Sequence, residues 1–309
     1  ASRRANVIAL FMTAVGVSSV IGAPLSGAIL QFADGLLSLR GWQWLFLLEG
    51  MPSVLMGVAV IYYLDDKPHQ ANWLDDHEKH QLQQALAADW VAADNGTQEH
   101  STSLLREVLS PTVLLFSLVY FCLVNTLAMI AVWTPLIIKS ISAADSSNST
   151  IGLLAAIPQV CTIIGMIVWG LHSDRSQERK WHLVLPMLLA AAGWMFTACA
   201  SDPLVQLIGV CMAATGSYTA MSIFWTTPDQ AMSFKGRAIG IALINAVGNI
   251  GSAVNPLVVG WLRDLTQSFT AGIGYAAALL VLGALLTFLL PIAVPGKRTG
   301  RAQAALNAS

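Results

Sequence analysis

An all-α protein that crosses a membrane many times is the fold class this sequence predicts. Three observations predict it. The chain is 55% hydrophobic and only 11% charged, with a mean hydropathy of +0.64, where a soluble chain carries roughly 25% charged residues. Its charges are gathered in short clusters between long apolar runs. When those runs are threaded alternately through a bilayer, the lysines and arginines fall almost wholly on one side.

A helix needs about 20 mostly apolar residues to cross the hydrocarbon core. Eight segments meet that length, at roughly 5–31, 42–63, 110–138, 150–171, 182–200, 203–226, 237–262 and 271–294. In lipid the backbone must satisfy itself, so each is read as a helix. Trp42, Trp44, Trp181 and Trp261 stand at segment ends, where interfacial indoles are favoured. With the first residue on the inside, the inner segments hold Arg3, Arg4, Lys67, Lys79, Arg106, Arg175, Arg179, Lys180, Lys235, Arg237, Lys297, Arg298 and Arg301. The outer segments hold Arg40, Lys139 and Arg263. That bias places both ends of the chain in the cytoplasm, in a multi-pass arrangement.

The longest polar stretch, 64–109, is a cytoplasmic connector. Asp75 and Glu78 have the spacing of a capping box at the start of a short amphipathic helix that places Leu82 and Leu86 on one face. Residues 92–103 are polar throughout. In the outer loop, Asn148-Ser149-Thr150 fits a glycosylation sequon and equally the cap of the next helix. Cys122, Cys161, Cys199 and Cys211 all fall in apolar runs without metal or disulfide spacing, and read as small buried residues. His77 and His80 lack the i, i+4 spacing of a helical zinc pair. No metal, cofactor or nucleic-acid site is indicated.

Ionisable groups inside a span are costly and mark function by default. Glu49 is the one clear case, about two turns inside the second span, where it either senses protons or ties helices together. Uncharged polar and aromatic residues form helical stripes. Tyr218, Ser222 and Trp225 follow i, i+4, i+7, and Asn245, Asn249 and Ser252 do the same. Asn125 and Trp133 share a broad sector, and Gln159 follows Pro158 at mid-depth. These side chains suit either hydrogen bonding between helices or a cavity that binds a small polar, aromatic ligand. An intramembrane enzyme would need a catalytic constellation such as serine with histidine or paired aspartates, and no span interior contains histidine or aspartate. A channel would need a filter segment or selectivity ring, and none is seen.

Gly170-Leu171-His172-Ser173-Asp174-Arg175, running on to Glu178-Arg179-Lys180, resembles the cytoplasmic loop signature of the major facilitator superfamily. Gly22-Ala23-Pro24-Leu25-Ser26-Gly27 is similar to the glycine-proline signature of its fifth helix. Gly41 to Gly50 (Gly-Trp-Gln-Trp-Leu-Phe-Leu-Leu-Glu-Gly) resembles the sixth-helix signature of its anion:cation symporter family. Finer likeness within that family rests on Tyr120 to Leu127, Trp133-Thr134-Pro135, Ile151 to Ala156, Phe224 to Gln230, and Arg237 to Ser252. It covers the chain almost from end to end.

The resemblance implies a major facilitator fold lacking its first four helices. Residues 1–63 are then the last two helices of an N-terminal bundle, 64–109 the inter-bundle loop, 110–294 a complete C-terminal six-helix bundle, and 295–309 a cytoplasmic tail. It implies a secondary transporter of a bacterial inner membrane that works by alternating access. Its partners would be a small organic anion, a proton and the lipid bilayer. Within the family the likeness points to proton-coupled uptake of a small aromatic carboxylate, 4-hydroxyphenylacetate; a sugar acid or tartrate is the alternative. Gly22, Pro24, Gly27, Glu49, Gly170, Asp174, Arg175 and Arg179 would carry gating and structure, with Asp174 latching neighbouring helices through arginine. No Lys or Arg stands mid-membrane to meet a carboxylate, so the absent helices are expected to supply the cation and the proton-coupling acid. The chain alone is therefore expected neither to transport nor to be well behaved as a monomer in detergent.

Overall fold

The structure, a computed structural model, describes residues 4–65, 70–71, 73–84, 110–142, 146–176, 178–232 and 234–292. It is helical, with no strand among those residues. The long helices are α1 (Arg4–Phe32), α2 (Gly41–Tyr63), α3 (Pro111–Ile141), α4 (Asn148–Ser176), α5 (Lys180–Cys199), α6 (Pro203–Phe224), α7 (Phe234–Thr266) and α8 (Thr270–Leu289). They match the eight expected segments to within a few residues. Seven are long and apolar enough to cross a membrane, and α1 contains the shorter apolar stretch Val17–Phe32.

Local chemistry sets the boundaries. Ser110 caps α3 by accepting from the Val113 N–H at 3.3 Å, and Asp202 caps α6 by accepting from Leu204 and Val205. Both caps are followed by proline at the first helical position, where its missing N–H costs nothing. At α4 the cap is Ser147, whose hydroxyl accepts from the Thr150 N–H. The Asn148-Ser149-Thr150 triplet is thus the helix's first turn, and the cap lies one residue before it. The Asp75–Glu78 capping box forms reciprocally, at 2.7 and 3.2 Å. Leu86, residues 92–103 and the 295–309 tail lie outside the described residues.

Helices α3 to α8 share one core, in which Phe116, Leu123, Met187, Trp194, Phe224 and Leu280 are fully buried. Successive helices run antiparallel. One end of the bundle therefore carries Asp174 and Arg179, and the other carries Lys139. Helix α1 packs along α4. The contact is close because two glycines meet: a methyl at Gly27 would lie 2.6 Å from the Asn148 carbonyl oxygen and 3.3 Å from the Gly152 Cα. Gln31 extends the contact by accepting from the Ser149 N–H at 3.0 Å. The small residues of the Gly22–Gly27 stretch thus do what such spacing does in membranes, which is to let backbones approach. Gly22 itself faces open space, and Pro24 lies within an unbroken helix.

Helix α2 leans on α1, and its apolar window is otherwise uncovered. Glu49 ties the two helices together, accepting a 2.5 Å hydrogen bond from the Ser26 hydroxyl. Of the four cysteines, Cys122 is buried, Cys161 and Cys211 are half-buried, and Cys199 is exposed at the end of α5. The expectation that all four are buried is therefore met in full at Cys122 alone, and Cys199 is exposed where its helix ends.

Candidate functional site

Helix α3 is irregular at its centre. Residues Met129–Trp133 form a π-helical turn, followed by Pro135. A proline cannot donate to the carbonyl four residues back and its ring crowds that carbonyl, so the turn ahead of Pro135 widens. Such widened turns often occur where helices do work.

Beside this turn lies a buried polar network. The Asn125 amide donates to the Gly251 carbonyl at 3.1 Å and to the Tyr275 hydroxyl at 2.9 Å. Its oxygen accepts from the Asn255 amide at 3.0 Å, and the Asn255 oxygen accepts from the Trp133 indole at 3.2 Å. Asn125 and Asn255 are 0% exposed. Three helices, α3, α7 and α8, are thereby joined through side chains that have no water to turn to. Two of the expected cavity residues, Asn125 and Trp133, belong to this network and face inward. Asn255, which the sequence stripe Asn245–Asn249–Ser252 does not include, links Trp133 to Asn125. Its sequence signal is an amide directly before Pro256 inside an apolar span.

The open face of the bundle lies about one helical turn away along α7. Ala238, Ala242, Asn245, Asn249 and Ala253 recur there at helical spacing and are all exposed. Asn249 donates to the Asn245 carbonyl at 2.8 Å and to its side-chain oxygen at 3.0 Å. From α3, the Tyr120 hydroxyl donates to the same Asn245 oxygen at 3.4 Å. The ring of Tyr120 rests on Gly248, where any side chain would overlap it. Tyr120 stacks on Phe224 at 5.1 Å and meets the edge of Trp225 at 4.9 Å. The structure thus brings Asn245, Asn249 and Trp225 together around Tyr120, which sequence reading missed because its place opposite Gly248 is a tertiary fact.

The remaining candidates are less central. Tyr218 is half-buried against the core, and the half-buried Ser222 spends its hydroxyl on the Thr219 carbonyl at 2.8 Å. Gln159 is half-buried on α4.

At the Asp174 end the loop signature forms a compact joint between α4 and α5. Arg179 bonds Asp174 and the buried Ser173 hydroxyl, each at 2.7 Å. Gly170 faces open space and Arg175 is exposed. A second joint was not expected. His172 Nδ1 and His182 Nε2 are 2.7 Å apart, His182 Nδ1 is 3.0 Å from Glu178, and the Trp169 indole donates to the His182 carbonyl at 2.9 Å. Burial alone would raise the Glu178 pKa. The Trp181 amide, the His182 side chain and the His182 amide outweigh it and hold the carboxyl below its ordinary value.

The family model described as Major Facilitator Superfamily matches residues 1–242 and, again, residues 142–309. The chain belongs to the Major Facilitator Superfamily. An Agrobacterium vitis protein named for tartrate transport is 38% identical over 295 residues, covering 96% of this chain and 64% of that protein. The metabolite transport protein NicT of Pseudomonas putida is 33% identical over 290 residues, covering 94% of this chain and 65% of NicT. The chain therefore spans about two thirds of the length of the curated relatives it matches. Among solved structures, the xylose transporter XylE of Escherichia coli superposes with a TM-score of 0.69 at 16% identity, over 96% of this chain and 65% of XylE. The major facilitator fold expected from the loop and helix signatures is thus present, in a multi-pass chain of a transporter family. The relatives are named for tartrate and for metabolite transport, and their names do not single out 4-hydroxyphenylacetate.

Proposed function

We propose that this chain forms the larger part of a proton-coupled symporter of the anion:cation symporter family, which takes up a small carboxylate by alternating access. The observation that carries the reading is the exposed polar stripe of α7. Asn245 and Asn249 stand near mid-helix, beside Tyr120 and Trp225, on a surface that lipid would not solvate. Exposed amides at membrane depth are costly against hydrocarbon, so this face is read as the wall of a water-filled, substrate-binding cleft. Helices α3 to α8 would rock against the bundle to which α1 and α2 belong, with substrate held near the midplane. The lysine and arginine bias puts Asp174 and Arg179 on the cytoplasmic side of a bacterial inner membrane.

Among the described residues this cleft wall carries amides, a phenol and an indole but no charge. In this reading it orients the ligand, and the cation that meets the carboxylate, with the acid that carries the proton, belongs to the facing helices. Glu49 is assigned to structure, since its carboxylate is bonded to Ser26.

For substrate we favour a small aromatic carboxylate such as 4-hydroxyphenylacetate. The half-buried Trp225 offers a ring surface, and Asn245 and Asn249 offer partners for a phenol or carboxylate. A second reading, tartrate or a sugar acid, is favoured by the Agrobacterium vitis relative. Uptake of labelled 4-hydroxyphenylacetate by cells expressing this chain together with the helices that complete the fold, with and without an uncoupler, tests both. Uptake abolished by the uncoupler and competed by phenylacetates supports the aromatic reading. Competition by tartrate alone transfers the assignment, and no uptake of either anion overturns it.

A further inference from the structure

Away from the open face, α4 and α5 each pack on α6 but hardly on one another. They splay into a cleft of about 350 Å³ that α6 floors, at the lower end of the roughly 300–1,000 Å³ typical of small-molecule sites. Val168 and Trp169 form one wall, Leu185 and Leu189 the other. The wall tips are open to the surroundings, with Val168 62% and Leu185 45% exposed. Toward the Asp174 end the His172–His182 contact and the Trp169–His182 hydrogen bond link the two walls.

The floor contains a polar anomaly. Thr219 lines the cleft and is 3% exposed, yet its hydroxyl has no hydrogen-bond partner among the described residues. A buried, unsatisfied hydroxyl is unfavourable and asks for a partner. It sits five residues from the end of α6, about 7 Å below that end at the helical rise.

Beside that end one cation has no ion-pair partner among the described residues. Of the acids there, Asp174 is paired with Arg179, and Glu178 is bonded to His182 and to the Trp181 and His182 amides. Lys180 points away to the Phe288 carbonyl. Arg175, nearly two turns beyond Trp169 on α4, is exposed and forms no ion pair with any described residue. His172 lies on the cleft's own face of α4, one turn beyond Val168.

We propose that this cleft is a binding site for one anionic phospholipid. An acyl chain lies between the α4 and α5 walls, a glycerol ester accepts from the Thr219 hydroxyl, and the phosphate meets Arg175 and His172. The apolar walls, the lone buried donor and the unpaired cation lie in the order in which a phospholipid presents chain, ester and phosphate. On the side that the charge bias reads as cytoplasmic, anionic lipid is also the expected partner of exposed basic residues. The proposal is independent of the transported substrate.

Native mass spectrometry of the purified protein in nonionic detergent tests it, with dioleoylphosphatidylglycerol, dioleoylphosphatidylcholine and glycerol 3-phosphate as probes. One phosphatidylglycerol is expected to be retained roughly tenfold more tightly than phosphatidylcholine, the size of one charge-assisted hydrogen bond. Arg175→Gln is expected to erase that preference. Val168→Trp, or Leu185→Trp from the opposite wall, fills the cleft from an exposed position and is expected to abolish retention while the melting temperature stays unchanged. Equal retention of the two lipids by the wild type, or retention undiminished by either tryptophan, would mean ordinary annular lipid and overturn the proposal. Competition by glycerol 3-phosphate as strong as by lipid would overturn the acyl-chain part.

Discussion

The Tyr120 hydroxyl donates to the side-chain oxygen of Asn245 across the α3–α7 crossing, at 3.4 Å. The bond is possible because Gly248, on the same helix as Asn245, leaves room for the phenol ring. Gly248→Ala is therefore expected to push Tyr120 away from Asn245. Uptake should fall several-fold, with Tyr120→Phe showing a smaller loss. Initial rates normalised to protein in the membrane check this, and wild-type rates for Gly248→Ala would contradict it.

The Asn125–Asn255–Trp133 network predicts a different phenotype. Asn255→Ala leaves the Asn125 oxygen and the Trp133 indole buried without their partner, at a cost of about 1–3 kcal/mol. Average interhelical bonds in membranes are worth only about 0.6 kcal/mol, but this residue serves two at once. Thermal unfolding in detergent should show a lowered midpoint, whereas the KM of the surviving protein stays near the wild-type value.

Close approach of α1 to α4 rests on Gly27 and Gly152. Replacing Gly152 by leucine is expected to part the helices. Cysteines introduced at Gln31 and Ser149, where the two helices are in hydrogen-bond contact, should cross-link readily in the parent and poorly in the Gly152→Leu background. Equal cross-linking in both would disprove the glycine contact.

Glu178 supplies a pH prediction. Its folded-state pKa lies below the ordinary value, so the ionised form favours the fold. The contribution is whole above the unfolded glutamate value, about 4.3, and is lost as pH falls through the lowered folded value. The melting-temperature gap between wild type and Glu178→Gln should accordingly persist above about pH 5 and close in stronger acid.

These positions also mark what could be read before the fold was known. The spans were legible because a bilayer demands long apolar runs, and Pro111, Asp202 and Pro203 announce helix starts by local chemistry alone. Asn245 and Asn249 were legible as one face because their spacing is a helical turn. Asn125 was not, because the same polar side chain serves a cleft or an interface, and only the neighbours Gly251, Asn255 and Tyr275 decide which. The His172–His182 contact escaped for a related reason: the two residues meet only once the α4–α5 turn is folded. Gly27 was recognised as a packing residue, while its partner Gly152 belongs to a helix more than a hundred residues later.

The central claim is that the exposed stripe of α7 binds substrate and the buried network does not. It is tested most directly by KM for uptake in Asn249→Leu beside Asn255→Ala, each corrected for membrane protein level. The account predicts a KM raised about tenfold for Asn249→Leu, the loss of roughly one substrate hydrogen bond, and little change for Asn255→Ala. An unchanged KM in Asn249→Leu, or a shift confined to Asn255→Ala, would contradict it.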